Sequence, residues 1–270
     1  MNRNLFYIIL FFSTIFFSCE KEKSIIIENT DLPLLSKVLI GGELYKEYSY
    51  NQANLVSEEK SKFHYSKHNY NDRNQLIVSD FYWDISIASS NSRILEAAMN
   101  REEWVNPGNT PKSISHEFMY NKEGQLIRKA YIRPSSNISD YSEFLYEDGR
   151  IVKTSGYHDN LISGYTDYIY DENGNIHEQI KYSVSPTGVV ELTTSTEFEY
   201  DTMKNPYLSF KRLMTPGIYT NQNNIIKETN TIHFEVDASI EKVQITENSY
   251  EYNEEGYPVR MNGIIEYVYK

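Results

Sequence analysis

A short aromatic unit recurs along this chain, and it constrains the fold more than any other feature. Phe118-Met119-Tyr120 is followed by Asn121, Gly124 and Leu126. Phe144-Leu145-Tyr146 is followed by Glu147, Gly149 and Ile151, and Tyr168-Ile169-Tyr170 by Asp171, Gly174 and Ile176. Tyr250-Glu251-Tyr252 with Asn253 and Gly256 is a fourth copy. Weaker copies are Tyr48-Ser49-Tyr50 with Asn54, Tyr70 with Asn74 and Leu76, and Phe198-Glu199-Tyr200 with Asp201 and Asn205. The second tyrosine recurs at 120, 146, 170 and 200. The next clear one, Tyr252, stands two units on, which predicts a degenerate copy at Asn223-Asn224-Ile225. Regular self-similarity of this length is the mark of a repeat architecture.

The unit reads as a β-hairpin. Aromatic residues two apart share one face of a strand. The Asp, Asn or Glu after the tyrosine opens a turn, and Asp and Asn side chains bond back to the backbone there. Gly124, Gly149, Gly174, Asn205 and Gly256 are the expected turn residues that supply a left-handed conformation. The apolar residue after them starts the returning strand. Consecutive hairpins give an all-β fold, a long curled antiparallel meander with at most one short helix, and leave a partly closed barrel open as an outcome. In Thr196-Glu197-Phe198-Glu199-Tyr200 the aromatics take one face and the glutamates the other, as in a sheet with one packed and one wet face. A membrane barrel turns an apolar band outward. A face bearing glutamates does not fit lipid, so a tethered, water-facing sheet is expected.

The unit at 168–176 resembles the YD-type β repeats of Rhs and teneurin shells, whose pattern is Tyr-Asp-x-x-Gly-x-Leu. Three blocks carry a second likeness: Tyr200 to Tyr207, Asn223-Asn224-Ile225, and Tyr250 to Pro258. In order and spacing they resemble Bacteroidota lipoproteins built on a sheet of YD-like hairpins and described as porin-like. That likeness covers most of residues 40–270. It implies a fold and an envelope location, and brings no activity or catalytic residues with it.

Two stretches depart from the repeat. Phe81, Trp83, Ile85 and Ile87 alternate like a strand. Residues 92–104 are rich in helix formers, yet the repeat phase predicts a strand near 95, and both readings stay open.

The N-terminus reads as a targeting segment. Arg3 is followed by Leu5–Phe17, thirteen residues apolar except for Ser13 and Thr14. That is too short to span a bilayer and fits a secretory apolar region. Ser18 precedes Cys19, the only cysteine of the chain, and the junction resembles a bacterial lipobox. The expected organisation is a lipoprotein signal peptide over 1–18, a lipidated tether over 19–32 beginning at Cys19, and a single β-repeat domain over 33–270. The alternative is an ordinary signal peptide with a chance cysteine. Envelope attachment at the outer membrane is expected, with the leaflet left undecided.

Composition narrows the chemistry. With 38 acidic against 26 basic side chains the formal charge is −12, which argues against a nucleic-acid partner. Many of the 24 tyrosines mark the repeat. One cysteine excludes a disulfide framework. His64 and His68 stand four apart in strand-like sequence, about 13 Å apart on a strand, so no metal site and no cofactor are expected. His116 shares a strand face with Phe118 and reads as a packing residue. There is no Gly-x-Ser-x-Gly elbow and no phosphate loop.

The one suggestive cluster is Phe81, Tyr82 and Trp83 with Trp104, a candidate surface for stacking on a sugar or holding an apolar ligand. The plainer reading makes these rings part of the sheet's packed face. The sequence therefore predicts a non-enzymatic cell-envelope lipoprotein that works as an interaction or binding module, with the membrane as its partner through the lipid and a glycan, lipid or protein ligand unspecified. A carrier or sensor with a Tyr-lined concave sheet is the second reading, and a carboxylate-dependent hydrolase the third.

Overall fold

The computed structural model describes residues 32–61, 63–83, 104–213, 215–233 and 241–270. The signal segment, Cys19 and the 92–104 stretch, except for Trp104 itself, lie outside the described residues. Seventeen antiparallel strands form one meander: β1 (Leu35–Ile40), β2 (Glu43–Tyr50), β3 (Val56–Ser61), β4 (His64–Tyr70), β5 (Leu76–Trp83), β6 (Ile114–Tyr120), β7 (Leu126–Ile132), β8 (Asp140–Glu147), β9 (Arg150–His158), β10 (Leu161–Tyr170), β11 (Ile176–Val184), β12 (Val190–Tyr200), β13 (Ile225–His233), β14 (Glu241–Glu247), β15 (Tyr250–Tyr252), β16 (Pro258–Met261) and β17 (Ile265–Tyr269). A 3-10 helix at Leu208–Leu213 is the one helical element among the described residues. Ladders join β15 to β16, β17 and β1, then run on in chain order from β1 to β14. The sheet is not closed into a barrel.

Five of the hairpin turns share one construction. In the turn after β10, Asp171 N–H donates to the Asn175 carbonyl (2.9 Å) and Asn175 N–H donates to the Asp171 carboxylate (2.8 Å). Asn51, Asn71, Asn121 and Asn253 make the same pair of bonds four residues on. The residue before the closing position must turn left-handed. Gly174 does so at φ 86°, while Asn54 and Asn74 do it at 56° and 58°. Asn is the non-glycine residue that tolerates this region best.

The tyrosine that ends each outgoing strand fastens one hairpin to the one before it. Its hydroxyl donates to the carbonyl of the buried residue that opens the previous returning strand. Tyr70 reaches Val56 (2.7 Å), Tyr120 reaches Leu76 (2.9 Å), Tyr170 reaches Ile151 (2.7 Å) and Tyr200 reaches Ile176 (2.6 Å). Tyr50 to Leu35 and Tyr269 to Pro258 continue the series. At β15 the pattern differs: Tyr250, which opens the strand, donates to the Ile225 carbonyl, while the strand-ending Tyr252 donates to the Asp201 carboxylate. Register shifts fall at Tyr50, Tyr70, Tyr120, Tyr146, Tyr170 and Tyr200. Burial pushes the Tyr170 hydroxyl up to about 12, so it stays a donor.

The Asn223-Asn224-Ile225 block is not a separate degenerate hairpin. Asp201 N–H donates to the Asn224 carbonyl, Asn224 N–H donates to the Asp201 carboxylate, and Tyr200 pairs with Ile225. This is the ordinary turn closure with 202–223 inserted where 172–174 stand in the preceding copy. Asn205 likewise has no left-handed φ. It is buried, its amide donates to the Ile218 and Asn221 carbonyls, and its side-chain oxygen accepts from Tyr207 N–H. The insertion delivers Tyr207, Phe210 and Tyr219 onto Leu35, Val38, Tyr48, Val56 and Tyr267. An element carried by β12 and β13 thus fills the core over β1–β3 and β17. A second cluster, Leu76, Phe118, Leu126, Phe144 and Ile151, lies along β5–β9 with Tyr70, Tyr120, Tyr146 and Tyr168 against it.

Residues directly opposite in an antiparallel ladder share a face, so the register sorts every side chain. The core face holds these clusters. The outer face carries ion pairs Arg128–Glu143 (2.5 Å), Lys153–Asp167 (3.1 Å) and Lys227–Glu199 (2.6 Å), with Tyr141 stacked on Tyr157 and Tyr165 on Tyr182.

Tyr170→Phe should lower stability by about 1 kcal/mol, the usual worth of one hydrogen bond, whereas Tyr165→Phe on the outer face should leave the urea midpoint unchanged. Gly174→Val should cost about 1–2 kcal/mol, because a β-branched residue fits poorly at positive φ. Equal urea midpoints for Tyr170→Phe and Tyr165→Phe would contradict the fastening role.

Candidate functional site

The core face turns polar where it leaves the two clusters. Lys46 on β2, Glu59 and Ser61 on β3, and His64 on β4 meet there. Glu59 is 7% exposed and accepts from the Lys46 ammonium (2.6 Å) and from His64 Nε2 (2.7 Å). Burial alone would raise the Glu59 carboxyl, but the His64 hydrogen bond and the Lys46 charge outweigh it and hold it at about 2. His64 Nδ1 lies 2.8 Å from the Ser61 hydroxyl.

Serine, histidine and glutamate in sequence invite comparison with a nucleophilic triad, but the surroundings differ. Ser61 has no exposed surface. Its oxygen accepts from Phe63 N–H (3.4 Å) and His64 N–H (3.0 Å), and its hydroxyl also lies 3.1 Å from the His64 carbonyl. A nucleophile needs a substrate carbonyl within reach, and this oxygen is spent on closing the β3–β4 turn.

A row of opposed residues continues across the sheet: His68 on β4, Ser79 on β5, His116 on β6 and Tyr131 on β7. His68 Nδ1 pairs with the Ser79 hydroxyl (2.8 Å), and its Nε2 is buried without a hydrogen-bond partner. Phe81 touches His68 and His116 (centroids 6.4 and 4.5 Å apart), and His116 touches Tyr131 (4.9 Å). Burial pushes the His68 ring down to about 4. Burial, then the nearby charges of Lys129, His68 and Arg133, push His116 to about 3. Lys129 stands beside this row, its ammonium 5.8 Å from the Phe118 ring and 5.2 Å from the Tyr131 ring. Burial lowers Lys129 to about 8.

The expected aromatic cluster is divided by strand alternation. Phe81 and Trp83 lie on the core face, opposite Ser66 and His64, whereas Tyr82 lies on the outer face opposite Tyr65. Trp83 is 55% exposed at the strand end. Trp104 is half-buried in the coil before the Pro107 turn, and among the described residues no ring pairing joins it to the other three. His64 and His68 do share a face, but each turns to a different partner. Sequence reasoning missed Lys46, Glu59 and Lys129. The alternation of β4 places His64 and His68 with Tyr70 and was legible. The register shift after each tyrosine, which decides the face of Glu59 and Lys129, was not.

No family model and no curated protein matches the chain. Among solved structures, a porin-like protein from Bacteroides vulgatus is similar at 10% identity, over 88% of this chain and 99% of that one, with a TM-score of 0.41. A porin-like protein from Bacteroides uniformis is similar at 9% identity, over 87% and 98%, with a TM-score of 0.40. The TcdB2-TccC3 structure is similar at 13% identity over 76% of this chain and 10% of that one, with a TM-score of 0.31.

Neutral His68 and His116 in the folded state set a pH dependence. Both have folded values below the ordinary 6.5, so the unfolded chain binds more protons and stability rises with pH. Their contribution is complete above about 6.5 and is lost as pH falls toward 4 and 3. The urea midpoint should therefore drop from pH 7 to pH 4, and His116→Phe should flatten that drop. An identical pH profile for the variant would contradict the assignment.

Proposed function

We propose that this chain is a cell-envelope lipoprotein, anchored through Cys19, that acts without catalysis as a binding module. The observation that carries the reading is the polar core face: titratable side chains are collected and desolvated there, one of them with an unpaired nitrogen, which is expensive unless something pairs with it. The charged outer face supports a water-facing sheet over a lipid-facing one, since lipid-exposed charges are costly in a membrane barrel. The Ser61 oxygen, committed to its turn, supports a binding role over a hydrolytic one. The same core face favours the second sequence-based reading, a carrier or sensor of a small ligand, over a module that docks only through its edges.

Two measurements test this. Cys19→Ser should abolish fatty-acid labelling and move the protein from the membrane to the soluble fraction; label retained in the variant would sink the anchor. Native mass spectrometry of the full-length protein should find a bound small molecule that His68→Leu with His116→Leu releases. A protein that carries nothing, and binds nothing from an envelope extract, would contradict the binding role.

A further inference from the structure

The outer face carries an apolar row just behind the turns. Each register shift there is a bulge that sets two residues against one on the neighbouring strand. In the hairpin of β4 and β5, Ile77 falls between Leu76, opposite Tyr70, and Val78, opposite Asn69. Ile127 falls likewise between Leu126 and Arg128, and Val152 between Ile151 and Lys153. Ile77 and Ile127 are 37% and 43% exposed, and Val152 is half-buried. The residue between the two aromatics of the unit points outward beside them: Met119 on β6, Leu145 on β8 and Ile169 on β10, 44–53% exposed. Strands β5 to β10 thus supply one apolar side chain each, in a row about 24 Å long at the usual strand spacing. The repeat does not require this. The same positions hold Ser49 and Ser57 in the hairpin of β2 and β3, and Glu199 and Glu251 stand there further along the chain.

The place where the chain enters the sheet says what covers this row. Leu34 N–H donates to the Lys270 carbonyl, and Tyr50, the last residue before its turn, donates to the Leu35 carbonyl. The chain therefore enters on the same rim as the turns. Cys19 stands 13 residues before Leu32. A flexible stretch of that length spans about 20 Å, and about 45 Å when fully extended. An acylated Cys19 keeps the turn rim, and the row behind it, within that distance of a bilayer. The row is only one or two side chains deep, because the Arg128–Glu143 and Lys153–Asp167 ion pairs stand next to it. It is too narrow to cross a membrane, which takes an apolar band about 25 Å tall. A shallow apolar strip suits the headgroup boundary, where apolar faces sink about 5–10 Å. The cations beside it are paired with carboxylates, so nothing calls for anionic lipid.

We propose that this row rests in the headgroup boundary of a phospholipid bilayer, so that the body of the protein lies against the membrane instead of swinging on its tether. This deepens the anchored-lipoprotein reading and rests on it. Full-length protein reconstituted into phosphatidylcholine vesicles tests it. Leu145→Cys and, in a separate protein, Val190→Cys carry an environment-sensitive fluorophore; Val190 is 49% exposed and opens β12 at the opposite rim. A lipid bearing a nitroxide near its headgroup should quench the label at 145 several-fold more than the label at 190. Ile127→Glu with Ile169→Glu should remove that difference and leave the circular dichroism spectrum unchanged. Equal quenching at the two positions overturns the proposal, and so does undiminished quenching at 145 in the folded double variant. A label at 145 shielded from aqueous iodide but untouched by the lipid quencher also overturns it, because protein then covers the row. Mass spectrometry of Cys19 separates the two readings. Acylated protein with equal quenching sinks the row and leaves the anchor, whereas unacylated protein that binds added vesicles and is quenched at 145 sinks the anchor and upholds the row.

Discussion

The hydrogen bond from a tyrosine hydroxyl to a carbonyl one hairpin back is the interaction on which the rest of this structure depends. A β-hairpin alone is marginal in water, and a meander of them gains stability only by joining each to the next. Backbone ladders do part of that. At the turn edge each returning strand opens with a buried apolar residue and a register shift, and a bulged ladder leaves backbone groups without strand partners. The tyrosine from the next hairpin supplies a donor for that carbonyl while its ring packs against the same core. Phenylalanine could fill the space and would leave the carbonyl unpaired. This explains why the second aromatic of the unit is tyrosine at 50, 70, 120, 170 and 200, whereas the first position varies among Tyr48, His68, Phe118, Tyr168 and Phe198.

A sheet fastened along one edge tolerates variation elsewhere. The turn after β12 keeps the Asp201–Asn224 closure and the Tyr200–Ile225 pair while carrying a long insertion. That insertion supplies Phe210 to a core that β1, β2, β3 and β17 do not fill alone. Buried asparagines tie it to the preceding turn. The Asn175 side-chain oxygen accepts from Gln222 and Asn223 N–H, and the Asn221 side chain accepts from Ile176 N–H. A repeat with its edge secured can also collect groups on the core face, such as Lys129 and His116, that a fully apolar core would exclude.

Much of the fold was legible in the sequence. The aromatic-x-Tyr pair, the Asx turn opener and the left-handed residue specify a hairpin by local chemistry, and the recurrence of that unit specifies a meander. The insertion was not legible as one: Asn223-Asn224-Ile225 looks like a weak copy because it is the second half of a real copy, split from Asp201. The candidate site was less legible still. Plain alternation already parts Tyr82 from Phe81 and Trp83, but alternation identifies faces only until a register shift, so Glu59 and Lys129 join a face that their local pattern does not reveal. Long-range opposition across ladders, such as Lys129 with Ser142, leaves no mark in a single sequence.

The fastening role can be read without altering the chain. With ring-labelled tyrosine, nuclear magnetic resonance resolves hydroxyl protons that exchange slowly with water. The account predicts slow exchange at Tyr50, Tyr70, Tyr120, Tyr170, Tyr200, Tyr250 and Tyr269, and fast exchange at the stacked outer-face tyrosines Tyr141 and Tyr165. Exchange at Tyr120 and Tyr170 as fast as at Tyr141 would contradict it.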